Sequence, residues 1–183
     1  MKYIVGALLI IVLLVGYFIN KSNKEDMARL KKAEVEQQQK VKNEKYTAEL
    51  NLKIKEIQSK IDIDQNEAKK IIESEKISSD GKKFYSDLAG RWADAVKIAS
   101  STPRMALAQP VKELQNIRRD LEVRQTTNYC DEIVKQNLYK SFDYGVDGFI
   151  DFMQDNKFKS EMNSELSSKY MNNSLILTEY CYM

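Results

Sequence analysis

The chain has 183 residues, with 29 Lys or Arg against 27 Asp or Glu, a net charge of +2, and no histidine. Lack of histidine removes every imidazole general base, every Ser-His or Cys-His pair and every His metal ligand, and two cysteines alone cannot close a zinc site. Six glycines form no phosphate-cradling or nucleophile-elbow motif, and the near-neutral charge supplies no field for nucleic acid, so the sequence predicts a non-enzyme with no cofactor, no metal and no nucleic-acid partner.

The first element is an unbroken apolar run from Tyr3 to Ile19, closed by Asn20, Lys21 and Lys24. About 17 residues at ~1.5 Å rise per residue just cross a bilayer core as a helix. The run exceeds the roughly 7–15 apolar residues of a cleavable signal, and its exit, Val15-Gly16-Tyr17-Phe18-Ile19-Asn20, has no A-x-A-like pair. Residues 1–20 are therefore read as an uncleaved transmembrane signal-anchor. The basic residues after the span (Lys21, Lys24, Arg29, Lys31, Lys32) point to a cytoplasmic C-terminus. The very short N-terminal tail with Lys2 ahead of the apolar run is the layout of an export signal, and the cysteines favour export too. The expectation is an N-terminus inside and a body outside the cytoplasm, in the periplasm of a bacterial inner-membrane protein.

Residues 21–80 are rich in Lys, Glu, Gln, Asn, Ser, Ala and Ile, with no Pro or Gly, and predict a helical stalk. Leu50, Ile54, Ile57, Ile61, Ala68 and Ile71 form a seam with a period near 3.5, so 46–72 reads as a coiled coil, broken at Asp64. Upstream, Met27, Leu30, Ala33, Val35 and Val41 make only a thin stripe. Pairs such as Glu49–Lys53 and Glu56–Lys60 add a few tenths of a kcal/mol each. A helix with so little apolar surface is marginal alone, so the seam calls for a second copy, a partner protein or the C-terminal domain folding back. Otherwise it is a solvated spacer, roughly 85 Å long if fully helical.

Ser78-Ser79-Asp80-Gly81 breaks the stalk, and four helical segments follow over 83–183. The first, Lys83 to Ala99, carries Phe84, Leu88, Trp92, Val96 and Ala99. Thr102-Pro103 opens the second, which runs to Gln125 with Leu107, Val111, Leu114, Ile117 and Leu121 on one side; Pro110 kinks it or marks its true start. The third carries Cys130, Ile133, Val134, Leu138, Phe142, Val146, Phe149, Ile150 and Met153. After Gln154-Asp155-Asn156 the fourth carries Phe158, Met162, Leu166 and Tyr170, with Asn172-Asn173 as a point of interruption. With no period-2 strand, the prediction is all-α: anchor, stalk and an antiparallel four-helix bundle.

Cys130 and Cys181 lie equidistant from the predicted turn at Asp155–Asn156. Residues equidistant from the turn of an antiparallel hairpin come side by side, so the two predict a disulfide that staples its open end, a bond for an oxidising compartment. Without a C-x-x-C it reads as structural. Asp143, Asp147 and Asp151 line one helix face, a solvated acidic face or, alternatively, a cation- or glycan-binding set. Gly145 and Gly148 call for a close neighbour, with Trp92 suggested. Arg104, Arg118, Arg119 and Arg124 form an anion-binding patch or pair with acids of the last two helices; residues 84–126 are net positive and 127–183 net negative. Trp92, Arg104, Arg118 and Arg119 are the interaction candidates.

Arg91-Trp92, Ser101-Thr102-Pro103-Arg104, Pro110-Val111, Leu114-Gln115, Arg118-Arg119, Cys130 and Gly148-Phe149-Ile150-Asp151-Phe152-Met153 together resemble a group of bacterial membrane-anchored envelope proteins with a small helical domain. That resemblance, over about residues 90–153, implies an envelope setting and no particular activity. The order of short anchor and helical stalk is similar to the inner-membrane subunit of phage spanin lysis proteins, which implies a mechanical role for the stalk. The function expected is a single-pass, non-enzymatic envelope protein presenting a helical domain for protein–protein interaction or scaffolding. The alternatives are a spanin-like remodelling factor and a glycan- or cation-binding module. The partners are the membrane and a protein or a second copy.

Overall fold

A computed structural model describes Lys24, Asp26, Met27 and residues 29–182 with their side chains. The apolar run read as a membrane anchor lies outside the described residues, and among the described residues no helix is long and apolar enough to cross a membrane. The described chain is helical throughout, without strands: α1 (Lys2–Lys60), α2 (Gln65–Glu73), α3 (Ser79–Ser101), a 3-10 turn (Arg104–Ala106), α4 (Ala108–Glu122), α5 (Tyr129–Met153) and α6 (Lys157–Tyr182). It divides into two compact units, Met1–Asn51 and Leu52–Met183.

In the first unit every described residue from Lys24 to Glu49 is exposed, and Met27, Leu30, Val35, Val41 and Tyr46 are each more than half exposed. The ion pairs along it, Lys32–Glu36 at 3.9 Å and Lys45–Glu49 at 4.0 Å, are of the exposed i,i+4 kind, worth a few tenths of a kcal/mol each.

The second unit is a helical bundle, and it begins well before the segment expected to form it. Ile54, Ile57, Ile61, Ala68, Ile71 and Ile77 are all buried within it. Of the covers open to the seam, the structure shows the fold-back: the seam is buried within its own chain rather than running on as a free stalk. The physical reason is an N-cap: Asp64 accepts the Glu67 N–H at 2.8 Å, which satisfies one orphan donor and starts a new helix at Gln65, after a four-residue break. Lys60 Nζ reaches Glu56 at 3.1 Å and Glu179 at 3.2 Å, while the Tyr180 hydroxyl donates to Glu56 at 2.9 Å. Those bonds, Lys60's first, hold the Glu56 carboxyl below its usual range.

Caps set the remaining boundaries. Ser78 accepts the Gly81 N–H at 3.1 Å, so α3 starts earlier than the expected Lys83, with Asp80 in its first turn. Pro103 opens the 3-10 turn, and α4 starts only at Ala108; Pro110 sits in its first turn, where no intrahelical N–H is needed. Asn128 caps α5 by accepting the Asp131 N–H at 2.9 Å. Asp155, at φ 64, ends α5, and the Asn156 N–H donates to Asp151 O at 2.9 Å, a left-handed helix termination that a short polar side chain tolerates. α6 then runs unbroken through Asn172-Asn173 to Tyr182.

α5 and α6 form an antiparallel hairpin, and α4 packs between α3 and α5. The core is built by Tyr85, Leu88 and Trp92 of α3, Val111, Leu114, Ile117 and Leu121 of α4, and Val134, Leu138, Phe142 and Val146 of α5. From α6 only Leu177, Tyr180 and Cys181 join the buried hydrophobics. Phe158 and Met162, expected on the core face, are 77 % and 43 % exposed, because the first half of α6 turns its serines toward α5. The Sγ atoms of Cys130 and Cys181 lie 2.05 Å apart, at disulfide distance, at the far end of the hairpin from its turn.

Candidate functional site

α5 presents Ser141, Gly145 and Gly148 to α6, which answers with Ser160, Ser164 and Ser167. Small residues on both sides bring the two backbones close. Ser141 Oγ donates to Ser167 O at 2.9 Å and Ser160 Oγ to Gly148 O at 2.8 Å. Gly145 also makes room for α3: a Cβ there would stand 2.7 Å from Trp92 Cζ2 and 3.1 Å from Ser167 Oγ. Trp92 lies flat on Phe142, ring centroids 4.0 Å apart and planes 11° from parallel.

This packing leaves a cleft of about 480 Å³ along the hairpin, walled by Trp92, Val96 and Ser100 of α3 and by Ser164, Ser168, Met171 and Leu175 of α6, with Ser141, Gly145 and Phe149 as its floor. A second cleft of about 230 Å³ shares Ser100, Phe149 and Ser164 and continues past Gly148 to Thr102, Leu107 and Phe152. The two make one groove, and no charged side chain lines either part, in a chain that is 31 % charged. Ser141, Ser160, Ser164 and Ser168 each donate to a backbone carbonyl, and no base accompanies them. The groove offers carbon surface, the aromatic side chains of Trp92, Phe149 and Phe152, and hydroxyl oxygens.

Of the interaction candidates, Trp92 forms a groove wall, though only 5 % exposed. The three arginines lie elsewhere and are engaged. Arg104 pairs with Asp155 and Arg118 with Asp143, while Arg119 bonds the Asn116 side chain on α4. Arg91 pairs with Asp120 at 2.8 Å. The acidic row is likewise divided: Asp143 faces Arg118, and Asp151 accepts from Asn163 Nδ2 at 2.9 Å. Asp147 is exposed, and partial burial, then Asp143, push its carboxyl above the usual range. Among the described residues no three His, Cys, Asp or Glu are grouped to hold a metal ion.

A second polar cluster lies at the stapled end. Asp131, 1 % exposed, accepts from the Tyr85 hydroxyl at 2.6 Å and from the Thr127 N–H at 3.0 Å, and faces Arg124 at 3.5 Å. Arg124 stacks over the Phe84 and Tyr85 rings, at 4.4 Å and 4.9 Å. Burial first, then the bond to Asp131, pushes the Tyr85 hydroxyl well above its ordinary pKa, so it stays a donor at physiological pH. The cluster ties α3 to the start of α5, with Arg124 Nε buried and without a hydrogen-bond partner.

Sequence reasoning missed the groove serines. Their signal is a small-residue period, Ser160, Ser164 and Ser167, facing Gly145 and Gly148 across the turn. No protein-family model matches the chain, and no curated protein or solved structure matches it.

Proposed function

We propose that this chain is a non-enzymatic, single-pass bacterial envelope protein that holds a four-helix arrangement of α3, α4, α5 and α6 in the periplasm and docks a partner protein in the groove of the α5–α6 hairpin. The observation that carries the reading is the uncharged groove between α3, α5 and α6, with Phe152 and Leu175 exposed on its rim. In a domain of this charge density, a continuous charge-free concave surface suits the apolar face of a partner helix or extended segment. The cysteine pair supports an oxidising compartment, and Tyr3–Ile19 supports the anchor.

The test is a photo-crosslinking side chain at Leu175 or Phe152 in the cells that make the protein. A discrete adduct at the rim, lost when Val96→Glu places a charge in the groove and unaffected by a charge at Gln109 on α4, is expected. Adducts indifferent to Val96→Glu would overturn the reading.

A second reading, a spanin-like factor acting mechanically through the stalk, draws on the first unit. Its apolar side chains, Met27, Leu30, Val35 and Val41, have no cover within that unit, which suits self-association. Deleting residues 28–45 removes five helical turns and should abolish function under this reading while leaving groove crosslinks intact.

A further inference from the structure

We propose that residues 74–82 form a latch over the Cys130–Cys181 pair: oxidation of the pair creates the seat for the latch, and the seated latch shields the bond from thiol reductants. This goes beyond the docking reading and does not depend on it.

The last carbonyls of any helix lack intrahelical donors. At the end of α6 the latch supplies them. The Ile77 N–H donates to Cys181 O at 2.9 Å, Lys76 Nζ to Tyr180 O at 2.7 Å, and Lys82 Nζ to Tyr182 O. Two ammonium groups thereby face the negative end of the helix dipole. The latch also grips α5: the Cys130 N–H donates to Ser74 Oγ at 3.3 Å, and Asn128 Nδ2 donates to Lys76 O at 3.3 Å. Its bonding partners thus sit on two helix ends that the cysteine pair fixes 5.5 Å apart, Cα to Cα. Without that tie the start of α5 and the end of α6 open independently, and the latch loses a rigid seat.

Coverage supplies the other half. Both cysteines are fully buried, as are Ile71, whose carbonyl lies 3.7 Å from Cys130 Sγ, and Ile77, whose N–H bonds Cys181 O. Thiol–disulfide exchange needs a thiolate to reach a sulfur atom, so the bond is made and broken only with the latch open. In the forming step one cysteine thiolate attacks an acceptor disulfide, a small molecule or an oxidoreductase, giving a mixed disulfide and releasing one acceptor thiol. The second cysteine thiolate then displaces the other. Two protons and two electrons leave the pair, and the acceptor becomes a dithiol. Ile77 closes over the product.

The experiment uses the full chain in detergent. Dithiothreitol is added in native buffer, aliquots are quenched with a polyethylene-glycol maleimide, and gel shift counts the free thiols. Ile77→Gly is expected to speed reduction roughly tenfold or more over wild type, because local opening sets the exposed fraction. The Lys76→Ala/Lys82→Ala variant, which leaves the apolar cover intact, provides the same comparison if Ile77→Gly does not fold. Equal rates for a folded latch variant and wild type overturn the shielding. The converse arm is trypsin cleavage after Lys76 and Lys82 in Cys130→Ser/Cys181→Ser. Roughly tenfold faster cleavage there, with Lys112 in α4 unchanged, is expected. Cleavage as slow as in the oxidised chain shows that the latch seats without the bond and overturns the proposal.

Discussion

The two ends of the α5–α6 hairpin are built from the same helices and finish differently. At the stapled end Cys130, Asp131 and Val134 of α5 and Ser174, Leu177 and Cys181 of α6 are buried, together with Ile71 and Ile77. At the turn end Phe152, Phe158 and Met162 stand exposed, and the helices meet through glycine and serine. The difference lies in coverage. Residues 52–82 pack on one end; at the other the 3-10 turn meets α5 and Arg104 pairs with Asp155, but Phe158 and Met162 stay uncovered, so apolar side chains of α6 lie inside at its end and outside at its beginning. An element's hydrophobic content does not decide its burial; the surfaces delivered to it do. The closed end buries its apolar side chains and the open end leaves Phe152, Phe158 and Met162 exposed.

That contrast breaks most sharply at the staple. Replacing both cysteines by Ala should cost about 4 kcal/mol, the loop-closure value for a separation of this size, read as a lower urea midpoint. A loss below about 1 kcal/mol would mean that packing alone closes that end. Next comes Asp131→Ala, expected to cost about 3 kcal/mol. It strips the carboxylate from Arg124, whose side chain is only 18 % exposed, and removes the closer of the two acceptors of the Tyr85 hydroxyl, the other being Asp131 O at 3.1 Å. Tyr85→Phe should then cost less in the Asp131→Ala background than in wild type, since only the longer bond to Asp131 O, at 3.1 Å, is left for it to remove; a fully additive double mutant contradicts the network.

At the turn end the test is Gly145→Ala. The new methyl meets Trp92 Cζ2, and Trp92 cannot retreat because its other face is stacked on Phe142. A cost of about 1–3 kcal/mol is expected for overpacking. Trp92 is the chain's one tryptophan, so its near-ultraviolet circular dichroism should change with the midpoint. An unchanged Trp signal would show that α3 is not held against α5 in this way.

Local chemistry made much of this fold legible in the sequence. Capping residues such as Asn128 bond within three residues of themselves, and the cysteine pair follows from arithmetic about one turn. Gly145 with Trp92 was legible because a helical glycine calls for a close neighbour. Non-local facts were not. The seam at Ile54, Ile57 and Ile61 is plain as an apolar stripe, but what covers it depends on the break at 61–64 and the new helix that Asp64 caps. The facing of α6 was misread for a related reason: Phe158 and Met162 are the larger apolar residues, yet close approach to Gly145 and Gly148 favours the serines. The groove belongs to three helices at once, so no single stretch announces it.

The smallest expected effect sharpens the open end. Asp147 lies on α5 between Asp143 and Asp151, and partial burial, then Asp143, raise its carboxyl pKa, with Arg118 opposing. A carboxyl whose folded pKa exceeds its unfolded one binds its proton more tightly when folded. Its favourable contribution is therefore present at low pH and is lost as pH rises through the folded value. Asp147→Asn should raise the melting temperature slightly at pH 7, where wild type carries the strained charge. The gain should vanish near pH 3, below the usual carboxylate range of about 4, where Asp147 is protonated in both states. A gain of equal size at both pH values would assign the effect to packing rather than charge. It would also mean that the acidic row is relaxed, with Arg118 neutralising more of the face than Asp143 alone.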